Sequence, residues 1–293
     1  MAYQLWSALQ AVLNGLLTGA LYALIGMGMA LIFGVMRIVN FAHGTFLMLG
    51  MYATYVLYER LGINPYIGFI FAAVVLFVIG VAIYQLLLRR IADRSEFMSI
   101  LLTLGISLIF IDVVLLWFGA DYRQLNIPLL GVNFRFGTHI SINAPWLLSF
   151  AITGVLVLGM FYVVMRTRFG RALRAINQNS YAASLMGIDV LRTQAIAFGM
   201  GLATVGIAGG LLLPVFYAYP DVGHQFTLKS FVMVVLGGMG SVVGAAIAGV
   251  VLGVIESLVS LYWGNEWALA VDFVLFLLVL SLRPSGLFGS QRI

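Results

Sequence analysis

The sequence predicts an all-α protein, a polytopic bundle of transmembrane helices, and the prediction rests on composition. Hydrophobic residues make up 63% of the 293 residues and charged residues only 9%, whereas about 25% of residues are charged in a soluble globular protein. Ten acidic and fifteen basic side chains are too few to cover the surface of a water-soluble fold of this length. The 33 glycines agree with this prediction, because small residues let membrane helices approach one another closely.

The apolar stretches predict eight or nine membrane crossings within a single transmembrane domain, residues 1–293. A crossing helix needs about 20 mostly apolar residues. The stretch 230–262 is interrupted by glycines between Gly237 and Ser241, so it is either one long tilted helix or a short, re-entrant segment near 230–238 followed by a full span. The apolar stretches are 8–36, 41–58, 66–88, 98–119, 146–165, 194–216, 230–262 and 267–282.

The arginines predict which segments face the cytoplasm, because cytoplasmic loops carry an excess of Lys and Arg. No Lys or Arg precedes Arg37, so the first stretch lacks the basic segment of a cleaved signal peptide and the N-terminus is expected outside. The more neutral segments 120–145 and 217–229 are also expected outside, and the C-terminus inside. The arginines of the predicted cytoplasmic segments are Arg89, Arg90, Arg94, Arg166, Arg168, Arg171, Arg174, Arg192, Arg283 and Arg292.

A weak internal similarity relates the two halves of the chain. Each half has a long helix, then a stretch broken by glycines (Gly34 to Gly50, and Gly237 to Gly253), then another span. The leading helices are predicted to run in opposite directions, as in transporters built from inverted repeats. Glycines spaced four apart predict close packing between helices of this chain, and the alternative is a contact with another subunit. These pairs are Gly15/Gly19, Gly206/Gly210, Gly240/Gly244 and Gly249/Gly253.

The segment 166–193 is long, polar and strongly basic. Asn179 or Ser180 can cap a helix start, because their side chains accept free backbone N–H groups. A short helix is predicted from Tyr181 to Met186, and Gly187 ends it, since glycine enters the left-handed conformation at little cost. Its small apolar face predicts docking into a groove of a cytosolic partner, and the alternative is a topology anchor whose arginines contact anionic lipid. That face comprises Ala182, Ala183, Leu185 and Met186.

Four segments resemble the permeases of ABC importers, and among these the branched-chain amino-acid permease family. The segment 166–193 is similar to their cytoplasmic coupling loop, and TRFGRALRA at 167–175 resembles the branched-chain form. The resemblance covers essentially the whole chain and is closest to the H-type subunit, although permeases for urea and short amides share the motifs. The other segments are GVMRIVNFAHGTFLMLGMY at 34–52, GGMGSVVGAAIAG at 237–249 and LRPSGLFG at 282–289.

The resemblance implies a permease subunit that imports branched-chain or other apolar amino acids across a bacterial inner membrane. A second permease subunit, identical or related, would complete the path, two cytosolic ATPases would bind ATP and Mg²⁺, and a periplasmic protein would deliver the substrate. The chain itself would catalyse no reaction and bind no cofactor, metal or nucleic acid, and it has no GxxxxGK[ST] phosphate loop. The residues expected to couple to the ATPases are Arg171, Arg174, Asn179, Ala182, Ala183, Leu185, Met186 and Gly187.

Polar residues at membrane depth predict a translocation path. Charges there cost about 2.5–3.5 kcal/mol each on insertion scales, so Asp112, Glu256 and Asp272 are expected to pack between helices or line a cavity, without a membrane-embedded His or Lys partner. Asn, Thr and helix-end backbone groups can bind both ends of a zwitterionic amino acid weakly. The residues expected to border the path are Asn14, Thr18, Asn40, His43, Gly44 and Glu256. In the alternative, Asn40 caps a helix that starts at Phe41, and His43 packs at an interface.

Two further functions are open at this point. The intramembrane acids would also suit a secondary carrier driven by an ion gradient. A membrane-embedded enzyme is the third possibility, but the sequence offers no clustered His, Ser–Lys or metal-ligand set at membrane depth.

Overall fold

The computed structural model describes residues 2–91, 96–136, 140–283 and 286–288, so Arg94 and Arg292 lie outside the described residues. The described chain is a helical bundle with one antiparallel hairpin, β1 (Asn133–Phe136) and β2 (Ile140–Asn143). The helix α3 (Pro65–Ile83) continues through a π-helical turn at Tyr84–Leu88 to Arg89–Ile91. The other helices are α1 (Ala2–Met36), α2 (His43–Leu61), α4 (Glu96–Phe118), α5 (Ala144–Arg166), α6 (Arg168–Gln178), α7 (Ser180–Leu185), α8 (Val190–Leu212), α9 (Gly223–Gly237), α10 (Val242–Trp263) and α11 (Glu266–Leu282).

Six helices of the described chain are long and apolar enough to cross a membrane, and they make this a multi-pass membrane protein. They are α1, α3, α4, α5, α8 and α10. The remaining crossings of the eight or nine predicted fall on α2, α9 and α11, which have 19, 15 and 17 residues. At 1.5 Å per residue α9 is only about 22 Å long. The stretch 230–262 is divided into two helices at its glycines, and its first part is short, as one of the two sequence alternatives predicted.

The central helix α1 packs antiparallel against α10 through glycines. A Cβ atom on Gly15 would lie 2.6 Å from Val254 Cα, and one on Gly19 would lie 2.8 Å from the carbonyl oxygen of Val250. The two backbones therefore touch with no room for a side chain between them. The prediction that the Gly15/Gly19 pair packs within the chain is confirmed.

Contacts across the bundle define two ends. At the end where α1 starts, called the N-terminal end, the Gln10 amide exchanges two hydrogen bonds of 2.9 Å with the Ser141 backbone. Arg123 and Ala218 pair through backbone hydrogen bonds of 2.8 Å at the same end, so the segments 120–145 and 217–222 lie together there. At the opposite end, called the Met36 end, Gln194 donates to the carbonyl oxygen of Val35.

The two halves share an order of elements with opposite directions. In the first half, α1 is followed by a break at 37–42 and then α2; in the second, α8 is followed by a break at 213–222 and then α9. Gly28 faces Gly201, and Val35 faces Gln194, so α1 and α8 are antiparallel. The predicted glycine-broken stretch, Gly237 to Gly253, does contain a break at 238–241. In the order of elements, however, the counterpart of the break at 37–42 is 213–222, which follows α8 and contains Pro214, a residue that cannot continue the hydrogen-bond ladder.

The first turns of α2 and α9 meet inside the bundle. The backbone N–H of Gly44 donates to Thr227 Oγ1 at 2.9 Å, and a Cβ atom on Gly223 would lie 2.6 Å from the carbonyl oxygen of Gly44. Because α9 starts at Gly223, residues 223–229 are helical. The prediction that all of 217–229 is an external segment is therefore wrong in its second half, which is part of the bundle.

Candidate functional site

A cavity of about 730 Å³ lies at the N-terminal end, between the first half of α1 and the second half of α10. Polar side chains from these two helices form one part of its wall, and aromatic side chains form another. The polar wall includes Gln10, Asn14, Thr18, Glu256, Ser257 and Ser260. The aromatic wall comprises Trp6, Tyr22, Trp146, Phe216 and Phe226. A cavity with a few polar groups against an apolar wall is the usual form of a small-molecule site.

An ion pair stands at the wall of this cavity. Lys229 Nζ lies 2.5 Å from Glu256 Oε1, and the Tyr22 hydroxyl donates to Glu256 Oε2 at 2.9 Å while accepting from Lys229 Nζ at 2.9 Å. The expectation that no membrane-embedded Lys pairs with the acids is therefore wrong. Lys229 lies in the second turn of α9 with its side chain directed into the bundle, where Glu256 of α10 neutralises its charge.

The three intramembrane acids lie in three different environments. Glu256 is paired and borders the cavity. Asp272 of α11 is 1% exposed, and neither of its carboxylate oxygens has a hydrogen-bond partner among the described residues, although it lies near enough to Glu256 and Lys229 to interact with them electrostatically. Asp112 is exposed on α4. Glu256 and Asp272 thus belong to one cluster, and Asp112 does not.

The six predicted path residues fall into two separate places. Asn14, Thr18 and Glu256 line the cavity. Asn14 accepts a hydrogen bond from the Gln10 amide at 2.9 Å, and the Thr18 hydroxyl donates to the carbonyl oxygen of Asn14 at 3.0 Å. The structure therefore brings the first two together with Glu256, from positions far apart in the sequence.

Asn40, His43 and Gly44 are buried at the contact between α2 and α9 instead of at the cavity. Asn40 Oδ1 accepts from the backbone N–H of Ala42 at 3.1 Å, so Asn40 turns the chain into α2, which starts at His43 and not at Phe41. His43 Nε2 donates to the carbonyl oxygen of Ile25 at 3.1 Å. Asn40 Nδ2 and His43 Nδ1 have no hydrogen-bond partner among the described side chains and backbone groups. Of these side-chain groups, Asn40 Oδ1 acts at the start of α2, whereas His43 connects α2 to α1.

The basic segment 166–193 contains two helices where one was predicted. The α6 helix has Thr167 as its N-cap, whose hydroxyl accepts from the backbone N–H of Gly170 at 3.1 Å. Only Gly170, Leu173 and Ile176 of α6 are buried, so its apolar stripe is narrow and the basic composition conceals it. The sequence signal that predicts this helix is their three-residue spacing.

The second helix, α7, has both predicted ends. Asn179 Oδ1 accepts from the backbone N–H of Ala182 at 3.0 Å, which confirms the cap. Gly187 has φ +81°, and the backbone bonds Gly187 N–H to Ser184 O and Ile188 N–H to Ala183 O form a Schellman motif. The predicted boundaries, Tyr181 to Met186, are one residue from those observed.

The predicted coupling residues divide into an exposed group and a group bound to this chain. Leu185 and Met186 are 70% and 83% exposed, whereas Ala183 is 4% exposed and packs in the core. The Arg174 guanidinium donates to the carbonyl oxygen of Val164 near the end of α5. The exposed members are Arg171, Asn179, Ala182, Leu185, Met186 and Gly187. Tyr181, which the sequence prediction left out of this set, is exposed beside them.

A multi-pass helical bundle with a polar-lined cavity at one end and an exposed, capped helix at the other has the architecture of a membrane permease. The model of the branched-chain amino acid transport system permease component family matches residues 11–280. The chain belongs to this family, which confirms the resemblance seen in the sequence.

Named relatives match the chain over nearly its whole length. The high-affinity branched-chain amino acid transport system permease protein LivH of Salmonella typhimurium is 31% identical, with 100% of this chain and 99% of LivH covered. The corresponding BraD protein of Pseudomonas aeruginosa is 30% identical over 99% of this chain and 98% of its own. LivM of Salmonella typhimurium, also named a permease protein of that system, is 25% identical over 93% of this chain and 68% of LivM. No solved structure matches the chain.

Proposed function

We propose that the chain is the permease subunit of an ATP-driven importer for branched-chain or other apolar amino acids in a bacterial inner membrane. The observation that carries this proposal is the full-length match to LivH at 31% identity. The whole chain, residues 1–293, then forms one permease domain. It catalyses no covalent reaction, because ATP hydrolysis belongs to separate subunits.

The Met36 end faces the cytoplasm in this proposal, and the N-terminus is outside. Support comes from the arginines, which gather at the end of α3 and along the segment from α5 to α8, both at the Met36 end, as cytoplasmic segments do. The cavity then opens towards the periplasm, and α7 faces the cytosol. Exposed arginines such as Arg168 and Arg171 can also contact anionic lipid headgroups.

The partners follow from the same proposal. LivH and LivM of one organism carry the same system name and are both permease proteins, which supports a second, related permease subunit beside this chain. Two cytosolic ATPases bind ATP and Mg²⁺, and a periplasmic binding protein delivers the amino acid. The chain itself binds neither cofactor nor metal.

We assign to α7 the coupling of ATP hydrolysis in the partner subunits to movement of this chain. Ala182, Leu185 and Met186 contact the ATPase, together with Arg171, while Asn179 and Gly187 close the two ends of the helix. Ala183 and Arg174 attach the segment to the bundle, so their part is to hold α7 in place. Closure of the ATPases moves α7, and with it α5 and α8.

The path starts in the cavity beside Asn14, Thr18 and Glu256. The contact between α2 and α9, with Asn40, His43 and Gly44, separates the cavity from the Met36 end. We assign these three residues to the closed part of the path, which opens when the two short helices move apart.

ATP-dependent uptake in proteoliposomes tests the proposal. The chain is reconstituted with its partner permease, ATPases and binding protein, and labelled leucine and labelled urea are supplied separately. We expect uptake of leucine and not urea, and its loss in Gly187→Asp with folded permease retained. Uptake of urea alone would contradict the substrate class.

One observation favours a second candidate function. The buried cluster of Lys229, Glu256 and Asp272 has the ionisable groups that ion-coupled carriers place in the membrane. Leucine uptake by this chain alone, driven by an imposed ion gradient and indifferent to ATP, would establish that carrier and overturn the importer.

A further inference from the structure

The Lys229–Glu256 pair is largely buried and stands at the wall of the cavity, which Glu256 lines. About 11% of each side chain is exposed. Glu256 and Tyr22 line the cavity, and the Lys229 ammonium contacts both and lies 4.7 Å from the centre of the Tyr22 ring. A molecule in the cavity therefore meets the carboxylate of Glu256, and the ammonium of Lys229 lies directly beside that carboxylate.

A buried ion pair constrains what can bind to it. Removing or neutralising one partner leaves the other charge buried and unpaired, which is strongly unfavourable. A ligand with a single charge gives a new partner to only one of the two groups. A zwitterion brings one charge of each sign, so both groups exchange partners and no charge is left unpaired.

We infer that Lys229 and Glu256 form the recognition site for the zwitterionic head of an α-amino acid, with Glu256 binding the ammonium and Lys229 the carboxylate. This deepens the proposed function and rests on it. Tyr22, which donates to Glu256 and accepts from Lys229, keeps both groups in place while their partners change.

The aromatic wall beside the pair provides an apolar surface for the side chain of the substrate. Phe226 lies 6.4 Å from Tyr22 and 6.0 Å from Phe216, measured between ring centroids. An apolar side chain lies against these rings when the head of the amino acid is at the ion pair. Urea and short amides carry no charges to exchange with Lys229 and Glu256, so this site excludes them.

Fluorescence titration of the full chain in lipid nanodiscs tests the inference without the ATPases. Trp117, Trp263 and Trp267, all exposed, are changed to Phe, which leaves Trp6 and Trp146 of the cavity as reporters. The probes are leucine, leucinamide (a cation of the same shape), 4-methylpentanoate (the matching anion) and urea. We expect leucine to bind at least about tenfold more tightly than the other three, since only leucine leaves no charge unpaired.

Single substitutions should change which class of ligand binds most tightly, in addition to weakening the binding of leucine. Glu256→Gln removes the carboxylate that Lys229 contacts and that would bind the ammonium of the ligand, so 4-methylpentanoate should bind more tightly than leucine. Lys229→Met leaves the carboxylate of Glu256, so leucinamide should be preferred. Glu266→Gln, which removes an exposed acid at the start of α11, is the matched control and should keep the preference for leucine.

The double variant Lys229→Gln/Glu256→Gln covers the case in which a single variant does not fold, because it leaves neither member of the pair as an unpaired charge. It should unfold at the wild-type temperature and bind leucine at least about tenfold more weakly. Equal binding of leucine, leucinamide and 4-methylpentanoate to the wild type, or unchanged leucine binding by the double variant, would overturn the inference. ATP-dependent leucine uptake would still stand in that event, so the two failures are distinguishable.

Discussion

Neighbouring residues of α7 have different tasks. Ala183 is buried in the bundle, and Asn179 and Gly187 complete the hydrogen bonds of the helix ends. Leu185, two residues from Ala183 and from Gly187, has 70% of its surface exposed. A substitution at Leu185 therefore tests contact with a partner separately from the stability of the fold.

We predict that Leu185→Asp abolishes ATPase binding and leaves the permease stable. Exposed positions without a structural role change the free energy of unfolding by about 0.5 kcal/mol or less. Copurification of the ATPase with the permease measures the first effect, and thermal unfolding in detergent measures the second. Leu61→Asp is the matched control, since Leu61 is 67% exposed at the opposite end of the bundle. Loss of ATPase binding in both variants would contradict an assignment to α7.

Single residues were predictable where their signal is local. Asn179 and Gly187 act within one turn of α7, so the sequence around them contains the whole cause of their conformation. Lys229 was placed in an external segment because its partner, Glu256, lies 27 positions away on another helix. Asn40 was expected to border the path or to cap a helix that starts at Phe41, and its side-chain oxygen accepts from the backbone N–H of Ala42, just before α2.

At the scale of elements, the contact of α1 with α10 depends on the absence of side chains. Gly15 and Gly19 of α1 touch the backbone of α10 directly. Gly154 of α5 is also inside a helix, but a Cβ atom there would meet nothing within 4 Å. The two kinds of helical glycine should respond in opposite ways to the same substitution.

We predict that Gly19→Ala destabilises the chain by about 1–3 kcal/mol, because the new methyl group forces two backbones apart. Gly154→Ala should be neutral or stabilising by up to about 1 kcal/mol, since alanine has the higher helix propensity. Thermal unfolding of both variants in the same detergent measures the difference. Equal melting temperatures would show that α1 and α10 are not in backbone contact.

Elements were predictable in proportion to their length and apolarity. The long spans follow from composition alone, and the division of 230–262 follows from its glycines. The helix α6 was missed because its apolar stripe has only a few residues. The start of α9 was missed for another reason: contacts with distant elements determine both the turn 213–222 and the pairing of Lys229. The contact of α2 with α9 likewise cannot be predicted from the sequence of either segment alone.

At the scale of the whole molecule, the contacts place the hairpin and the short helices α6 and α7 at opposite ends of the bundle. The hairpin and the bridge between Arg123 and Ala218 lie at the N-terminal end, and α6 and α7 lie at the Met36 end. This arrangement agrees with the sidedness that the arginine distribution predicts. The absolute orientation is a prediction that the absence of cysteine makes easy to test.

We predict that a membrane-impermeant maleimide labels Tyr122→Cys in intact cells and labels Gln178→Cys only after permeabilisation. Both residues are exposed, at opposite ends of the bundle, and the sequence has 0 cysteines, so each variant has a single thiol. The unmodified chain is the blank for the assay. Labelling of Gln178→Cys alone in intact cells would reverse the orientation of the N-terminus.

The Schellman motif and the Asn179 cap have a mechanical consequence for α7. A short helix normally frays, and a frayed helix absorbs a pull by unwinding instead of passing it on. In α7 both ends are closed by the chain itself, and Ala183 fastens the middle to the bundle. The helix is therefore rigid. We expect a force applied at its outer face to move the bundle instead of unwinding α7.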